Sequence, residues 1–260
     1  MSFIVTVYVP EGIVMASDSR QSVKIEATTP EGEKLPPVHT IASDFTYKTF
    51  LLKQQNVGIS VHGDAILGGV QIESHIKRLE EEALSDNDTI DKVLDTLLSY
   101  FRERFPEADT TFHVAGFKKE EGISVPHFYL CHIGKNKKNR VNLDTSTNQV
   151  KYGCSWGGES DIISVMLKSH QILSPDNKPI PAPTSPIIYQ SMNIQDAIDF
   201  AIYTVRITID TMRFQARPKT VGGPIDVLLL TPEEARWIQR KQLHGSTLNA
   251  VAIGKTTGGE

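Results

Sequence analysis

The run Ser2-Phe3-Ile4-Val5-Thr6-Val7-Tyr8-Val9-Pro10-Glu11-Gly12-Ile13-Val14-Met15-Ala16-Ser17-Asp18-Ser19-Arg20 reads as a β-hairpin that begins at its first residue. Phe3 to Val9 alternates and is rich in β-branched residues, Pro10-Glu11-Gly12 is turn chemistry, and Ile13 to Ala16 is apolar again. A chain that starts inside a strand has a pinned terminus. The second strand of a hairpin ends beside the start of the first, so Asp18 and Arg20 are expected near Ser2. Ser2 follows Met1 directly, and serine is small enough for Met1 to be trimmed. It would then hold a hydroxyl nucleophile and an α-amine that titrates at roughly 7.7–8.0, a recognised pairing for activating the hydroxyl. Met-Ser openings are common for reasons unrelated to chemistry, so the neighbouring acid and base carry the reading.

With Glu11-Gly12-Ile13-Val14 as its turn and Ala16-Ser17-Asp18-Ser19-Arg20 as its end, this hairpin resembles the start of proteasome β-type subunits. These are N-terminal nucleophile hydrolases, and the similarity is greatest to their bacterial, Anbu-like relatives. The resemblance implies Ser2 as nucleophile, Asp18 sixteen positions on, and Arg20 two further. It also implies a lysine on a strand and an oxyanion-hole glycine before a long helix. Thr46-Tyr47-Lys48-Thr49-Phe50-Leu51-Leu52 and Val57-Gly58-Ile59-Ser60-Val61-His62-Gly63-Asp64-Ala65 have that character, which maps the lysine to Lys48 and the glycine to Gly63. Lys34 matches the family's spacing better, but it lies in the loop-like Pro30-Glu31-Gly32-Glu33-Lys34-Leu35-Pro36-Pro37. An inserted loop before Lys48 reconciles the two. Tyr152-Gly153-Cys154-Ser155-Trp156-Gly157-Gly158 resembles the family's turn that carries a serine close to the terminal amine, which assigns that role to Ser155. The family's aspartate and serine before the pair Gly222-Gly223 are missing, with Pro218 and Val221 in their places. Asp210 on the preceding helix is the acid that could substitute.

Bulk properties agree with one large domain spanning residues 1–260. Hydrophobic content of 39% beside 22% charged is that of a soluble globular chain. A net charge of −4 argues against nucleic acid as a partner; the only basic run, Lys135 to Arg140, is expected to be a solvated turn. No stretch reaches the roughly 18 apolar residues of a membrane span, and the charged turn at Glu11 interrupts the apolar opening, so no signal peptide is read. Cys131 and Cys154, both in strand-like runs, suggest buried thiols in a reducing, cytoplasmic compartment.

After the hairpin, residues 21–44 read as a polar excursion, followed by strands near 45–53 and 56–62. One helix is expected directly after Gly63, capped by Asp64, and a second from Thr89 to Phe105, capped by Asp88. Strands are expected at 111–117, 127–133, 140–143 and 149–154, and helices at 159–171 and 194–214. A strand at 225–230, a short helix opened by Thr231-Pro232-Glu233-Glu234 and a strand at 248–253 complete the order. Residues 174–191, rich in proline, read as an excursion. Blocks of strands separated by helices, without βαβ alternation, indicate an α+β fold with antiparallel sheets. The resemblance implies a four-layer αββα sandwich.

Two further constellations compete. Gly153-Cys154-Ser155-Trp156-Gly157 fits the nucleophile-elbow pattern, with Asp199, Asp210 or Asp226 and then His244 in the chain order of an esterase. His127, Cys131 and His132 are metal-ligand types, but strand alternation sends His132 to the opposite face, so no metal or other cofactor is expected. The expected chemistry is amide hydrolysis through an acyl-enzyme. Ser2 attacks, its own amine takes the proton, Asp18 holds Lys48 as a charged ammonium, and the Gly63 N–H donates to the oxyanion. The resemblance implies a homo-oligomeric ring acting on peptides or unfolded protein. A non-catalytic ring or scaffold subunit, and an N-terminal nucleophile amidase, are the alternatives.

Overall fold

The computed structural model describes residues 2–168, 171–181 and 185–243. The expected trimming of Met1, His244 and the strand at 248–253 therefore lie outside the described residues. The chain is a mixed α/β structure with two five-stranded antiparallel sheets and four α-helices among the described residues.

The opening hairpin forms as expected: β1 (Phe3–Val9) pairs with β2 (Gly12–Ser17), Ile4 opposite Ser17. A ribbon of β3 (Gln21–Ile25) and β4 (Val38–Ser43) fills the excursion and leads to β5 (Thr49–Leu52) and β6 (Val57–Gly63). The small hairpin β7 (Ile66–Leu67) and β8 (Val70–Gln71) precedes helices α1 (Ile72–Ala83) and α2 (Ile90–Arg104). Next come β9 (Thr110–Glu120), β10 (Ile123–His132), β11 (Lys137–Arg140), β12 (Leu143–Asp144), β13 (Gln149–Val150) and β14 (Gly153–Gly158). Helix α3 (Asp161–Leu167), the ribbon β15 (Gln171–Leu173) and β16 (Pro179–Pro181), and a 3-10 turn at Tyr189–Ser191 lead to α4 (Ile194–Phe214). The hairpin β17 (Asp226–Leu230) and β18 (Ala235–Gln239) follows.

One sheet has the order β14-β1-β2-β17-β18 and the other β11-β10-β9-β6-β5. Residue alternation divides their faces. Val5, Val7, Val14, Ala16, Val227 and Leu229 of the first sheet join a core with Ala201, Val205 and Met212 of α4. The intervening residues Ile13, Met15, Leu228 and Leu230 pack with Ala115 and Phe128 of the second sheet. The other face of that second sheet meets Val93, Leu97 and Phe101 of α2 and Ile76 and Leu79 of α1. Strands buried on both faces explain the near-continuous apolar runs of β1 and β17.

Several boundaries differ from the sequence reading. The first helix begins at Ile72, because Gly68 and Gly69 turn the chain at positive φ and convert Ile66, Leu67 and Val70 into a hairpin. Asp64 caps nothing there; its carboxylate accepts the Asp109 N–H instead. Asp88 likewise accepts from Ser85 N, and Thr89 occupies the N-cap of α2. Thr231 and Glu234 close a turn into β18 instead of opening a helix. Of the basic run, Lys135 and Asn136 form the expected exposed turn, while Lys137–Arg140 become the edge strand β11, where Lys138 pairs with Asp95.

Candidate active site

Ser2 sits at the head of β1, an inner strand bonded on one side to β2 and on the other to β14. The backbone directions there are fixed by hydrogen bonds. Phe3 N–H donates to Asp18 Oδ1 at 2.8 Å and its carbonyl accepts from Asp18 N, so Phe3 faces β2. The N–H and C=O of one extended residue point to the same edge, and neighbours alternate. The Ser2 carbonyl accepts the Glu159 N–H at 2.8 Å, just past the end of β14. Gly158, at φ +88°, permits this approach: a Cβ there would fall onto the Ser2 carbonyl.

Asp18 is fully buried and takes four donors. Phe3 N and Lys48 Nζ bond Oδ1, and Arg20 N and Gly222 N bond Oδ2. Lys48 lies on the turn into β5, only 3% exposed, its ammonium 2.6 Å from Asp18 and 2.6 Å from the Arg20 carbonyl. Burial pushes the Lys48 pKa below the usual lysine value, and Asp18 opposes that shift. A cavity of about 240 Å³ opens over these groups, lined by Ser2, Lys48 and Gly63 together with Arg20, Gln21 and Thr46. Gly63, at φ +103°, passes so close to the Asp109 carbonyl that no Cβ fits. Lys34 is exposed and lies in the excursion, bridged to Thr28.

Arg20 does not face substrate as a free charge. It makes a bidentate pair with Asp44 at 2.6 and 3.0 Å and donates to the Lys219 carbonyl. Its side chain packs on Gly222, which brings the loop before β17 over Asp18.

The structure does not bring Ser155 to Ser2. Ser155 is opposite Thr6 in the middle of β14, four residues along β1, or roughly 13 Å at 3.3 Å per residue. The turn lies further on, at Gly158-Glu159-Ser160, so the Gly-rich segment was read one turn too early. A mid-strand position is also unlike a nucleophile elbow, and Asp226 is bound to Lys241. Asp210 is exposed on α4 beside Tyr203, Arg206 and Phe214, remote from the cavity lining. Glu159 meets Ser2 through its backbone N–H. Its carboxylate accepts Thr220 Oγ1 at 3.1 Å and Arg217 Nη2 at 2.5 Å, and Arg217 also pairs with Asp161. Nothing in the local sequence announces it.

Sequence reasoning also missed Lys241. Its ammonium is buried against Asp226 and lies 4.2 Å from the Tyr47 ring centre. Asp226 is opposite Ser17, one residue from Asp18, and Tyr47 precedes Lys48, so a second lysine–carboxylate pair backs the first. The three metal-ligand types separate: His127 bonds Tyr129 and Glu120, Cys131 is in the core, and His132 bonds Asp109. No cluster of metal-ligand side chains occurs among the described residues.

A serine, a lysine seated on a buried carboxylate and a glycine at positive φ thus meet around one cavity at a strand terminus. The fold is shared with a solved structure of Anbu, the Gly-1 mutant from Hyphomicrobium sp. strain MC1, a bacterial proteasome-like protein. The two chains are 15% identical with a TM-score of 0.53, over 93% of this chain and 86% of that one. No protein-family model and no curated protein matches. No helix among the described residues is long and apolar enough to cross a membrane.

Proposed function

We propose that this chain is a proteasome-like amide hydrolase that uses Ser2 as an N-terminal nucleophile. The observation that carries this reading is the cavity in which Ser2 and Gly63 meet Lys48, itself seated on the buried carboxylate of Asp18. Once Met1 is removed, the α-amine takes the Ser2 Oγ proton. The Lys48 ammonium lowers the cost of the developing alkoxide, and Gly63 N–H serves the oxyanion. The amine fragment leaves with the proton held by the α-amine, forming the acyl-enzyme at Oγ; water then attacks the acyl carbon, giving its hydroxyl to the acid product and its proton, through the α-amine, back to Oγ. The Glu159 N–H bonds the Ser2 carbonyl, so in this reading the support sought at Ser155 is assigned to Glu159 and Ser160. In this reading residues 1–260 form one domain. The three cores are those an αββα sandwich requires, and the protein works in the cytoplasm as a homo-oligomeric ring on peptides or unfolded protein. Lys48, Asp18 and Ser2 need no metal or organic cofactor for these steps.

The absence of an acid and serine at Pro218 and Val221 favours one second reading, a non-catalytic ring subunit. Covalent labelling separates the two. In protein whose intact mass shows Met1 removed, a peptide epoxyketone or β-lactone should add its mass to the Ser2 peptide. Labelling should vanish in Ser2→Ala and persist in Ser155→Ala. Stable modification of Ser155 with none at Ser2 would establish the esterase reading, and no labelling at all would favour the scaffold.

A further inference from the structure

Three contacts run in line between the second sheet and α2. Glu120 Oε1 lies 2.7 Å from His127 Nε2, His127 Nδ1 lies 3.0 Å from the Tyr129 hydroxyl, and that hydroxyl lies 2.8 Å from Asp91 Oδ1. His127 is only 2% exposed. Both of its ring nitrogens are engaged, and a ring turned over would offer carbon to both partners, so its orientation is fixed. A carboxylate stands at each end of the line, and a carboxylate only accepts. Three contacts therefore need three hydrogens from the two residues in between. A neutral imidazole brings one and a phenol brings one. The line is one hydrogen short, and a bound proton supplies it.

The charges that face this line come from three elements. Asp91 is on α2, Lys118 and Glu120 are on β9, and Arg140 is on β11. Lys118 pairs with the other oxygen of Asp91 at 2.6 Å, and Arg140 lies 3.9 Å from Glu120. The two cations thus balance the two carboxylates while His127 is neutral. Burial, and then Arg140, push the His127 pKa below its ordinary value, and Glu120 opposes them. At neutral pH the line is therefore unfilled, and the single Tyr129 hydrogen serves either Asp91 or His127. We propose that Glu120, His127, Tyr129 and Asp91 form a one-proton switch between the second sheet and the first turn of α2. Filled, His127 donates to both neighbours and the Tyr129 hydrogen is committed to Asp91, which fastens β10 to α2. Emptied, the hydroxyl alternates between its two acceptors and that link is released for part of the time. None of the four residues lines the cavity over Ser2, so the switch is independent of the hydrolase reading.

The test follows the side-chain 15N resonances of His127 in the full-length protein from about pH 7.5 to about pH 4.5. Their assignment comes from their loss in His127→Asn. Nε2 should carry a hydrogen throughout, and Nδ1 should change from bare to protonated below pH 6.5. The backbone amides of Ile90 and Asp91 should shift with the same midpoint. Asp91→Asn supplies the missing hydrogen from its own NH2, so its Nδ1 midpoint should fall by roughly one pH unit. Tyr129→Phe removes the acceptor for Nδ1–H, so it should also lower the midpoint, and the α2 amides should no longer follow it. An Nδ1 that stays bare until the protein unfolds overturns the proposal. So does an unmoved midpoint in Asp91→Asn, and so do α2 amides that ignore the wild-type titration. The wild-type titration and Asp91→Asn decide the outcome even where Tyr129→Phe fails to fold.

Discussion

Replacing Asp18 by asparagine should destabilise the protein more than replacing Lys48 by methionine, although both remove the same ion pair. The four donors on Asp18 are divided two and two between its oxygens. Asparagine keeps one oxygen. Either way its NH2 is set against two donors, so two of them lose their acceptor at about 1–3 kcal/mol each. In either orientation the buried Lys48 ammonium also loses the carboxylate charge it is paired with. Together these should cost about 4 kcal/mol, within the range for breaking a buried pair. In Lys48→Met the carboxylate keeps its three backbone N–H donors. The loss is then one charge-assisted bond, about 2 kcal/mol. Urea unfolding at pH 7, compared at equal slope, measures both. A Lys48→Met variant as unstable as Asp18→Asn, or more so, would show that the ion pair and not the donor cluster holds this corner.

Lys48→Ala should abolish labelling of Ser2 by a β-lactone, whereas Lys34→Ala, in the exposed excursion, should leave its rate unchanged; equal effects would misplace the lysine. His62 is held neutral by burial, with its pKa pushed down from 6.5 to about 4. Its contribution to stability is therefore complete above pH 6.5 and declines as pH falls toward 4. The loss should reach about 2 kcal/mol at pH 5, and His62→Phe should flatten the fall in melting temperature between pH 6.5 and 4.5. Lys241 is a nearby cation that depresses the Lys48 pKa, so Lys241→Met should carry the alkaline limb of the pH–rate profile to higher pH. Lys241→Arg should restore it, and an unmoved limb would disconnect the two pairs.

The hairpin and α4 were legible because period-two and period-3.6 patterns there coincide with burial, and the capping box of Asn193 and Asp196 starts α4 at the expected residue. Lys48 was separable from Lys34 by context alone: apolar neighbours in one case, proline and glycine in the other. Three errors share one cause, a local motif overridden by the sheet. Thr231 does bond Glu234 N as a helix start would, but pairing of Ala235–Gln239 with β17 claims the residues that follow. Ile66, Leu67 and Val70 have helical spacing, and two adjacent glycines cancel it. The glycines of 153–158 suggested a turn where the chain continues as an edge strand beside β1. Glu159 and Lys241 were illegible because their partners are distant or unpatterned: Arg217 and Thr220 for the first, Asp226 for the second.

The position of β1 inside its sheet has a consequence for biogenesis. Synthesis delivers Ser2 before the groups around it, which arrive in sequence: Lys48, then Glu159, then Gly222, and Lys241 last. At about 5–20 residues per second that interval is on the order of tens of seconds. Until then Asp18 lacks the Gly222 donor and β2 lacks β17, its neighbour on the side away from β1. The surroundings of Ser2 are therefore completed only once the last strands of the fold are in place.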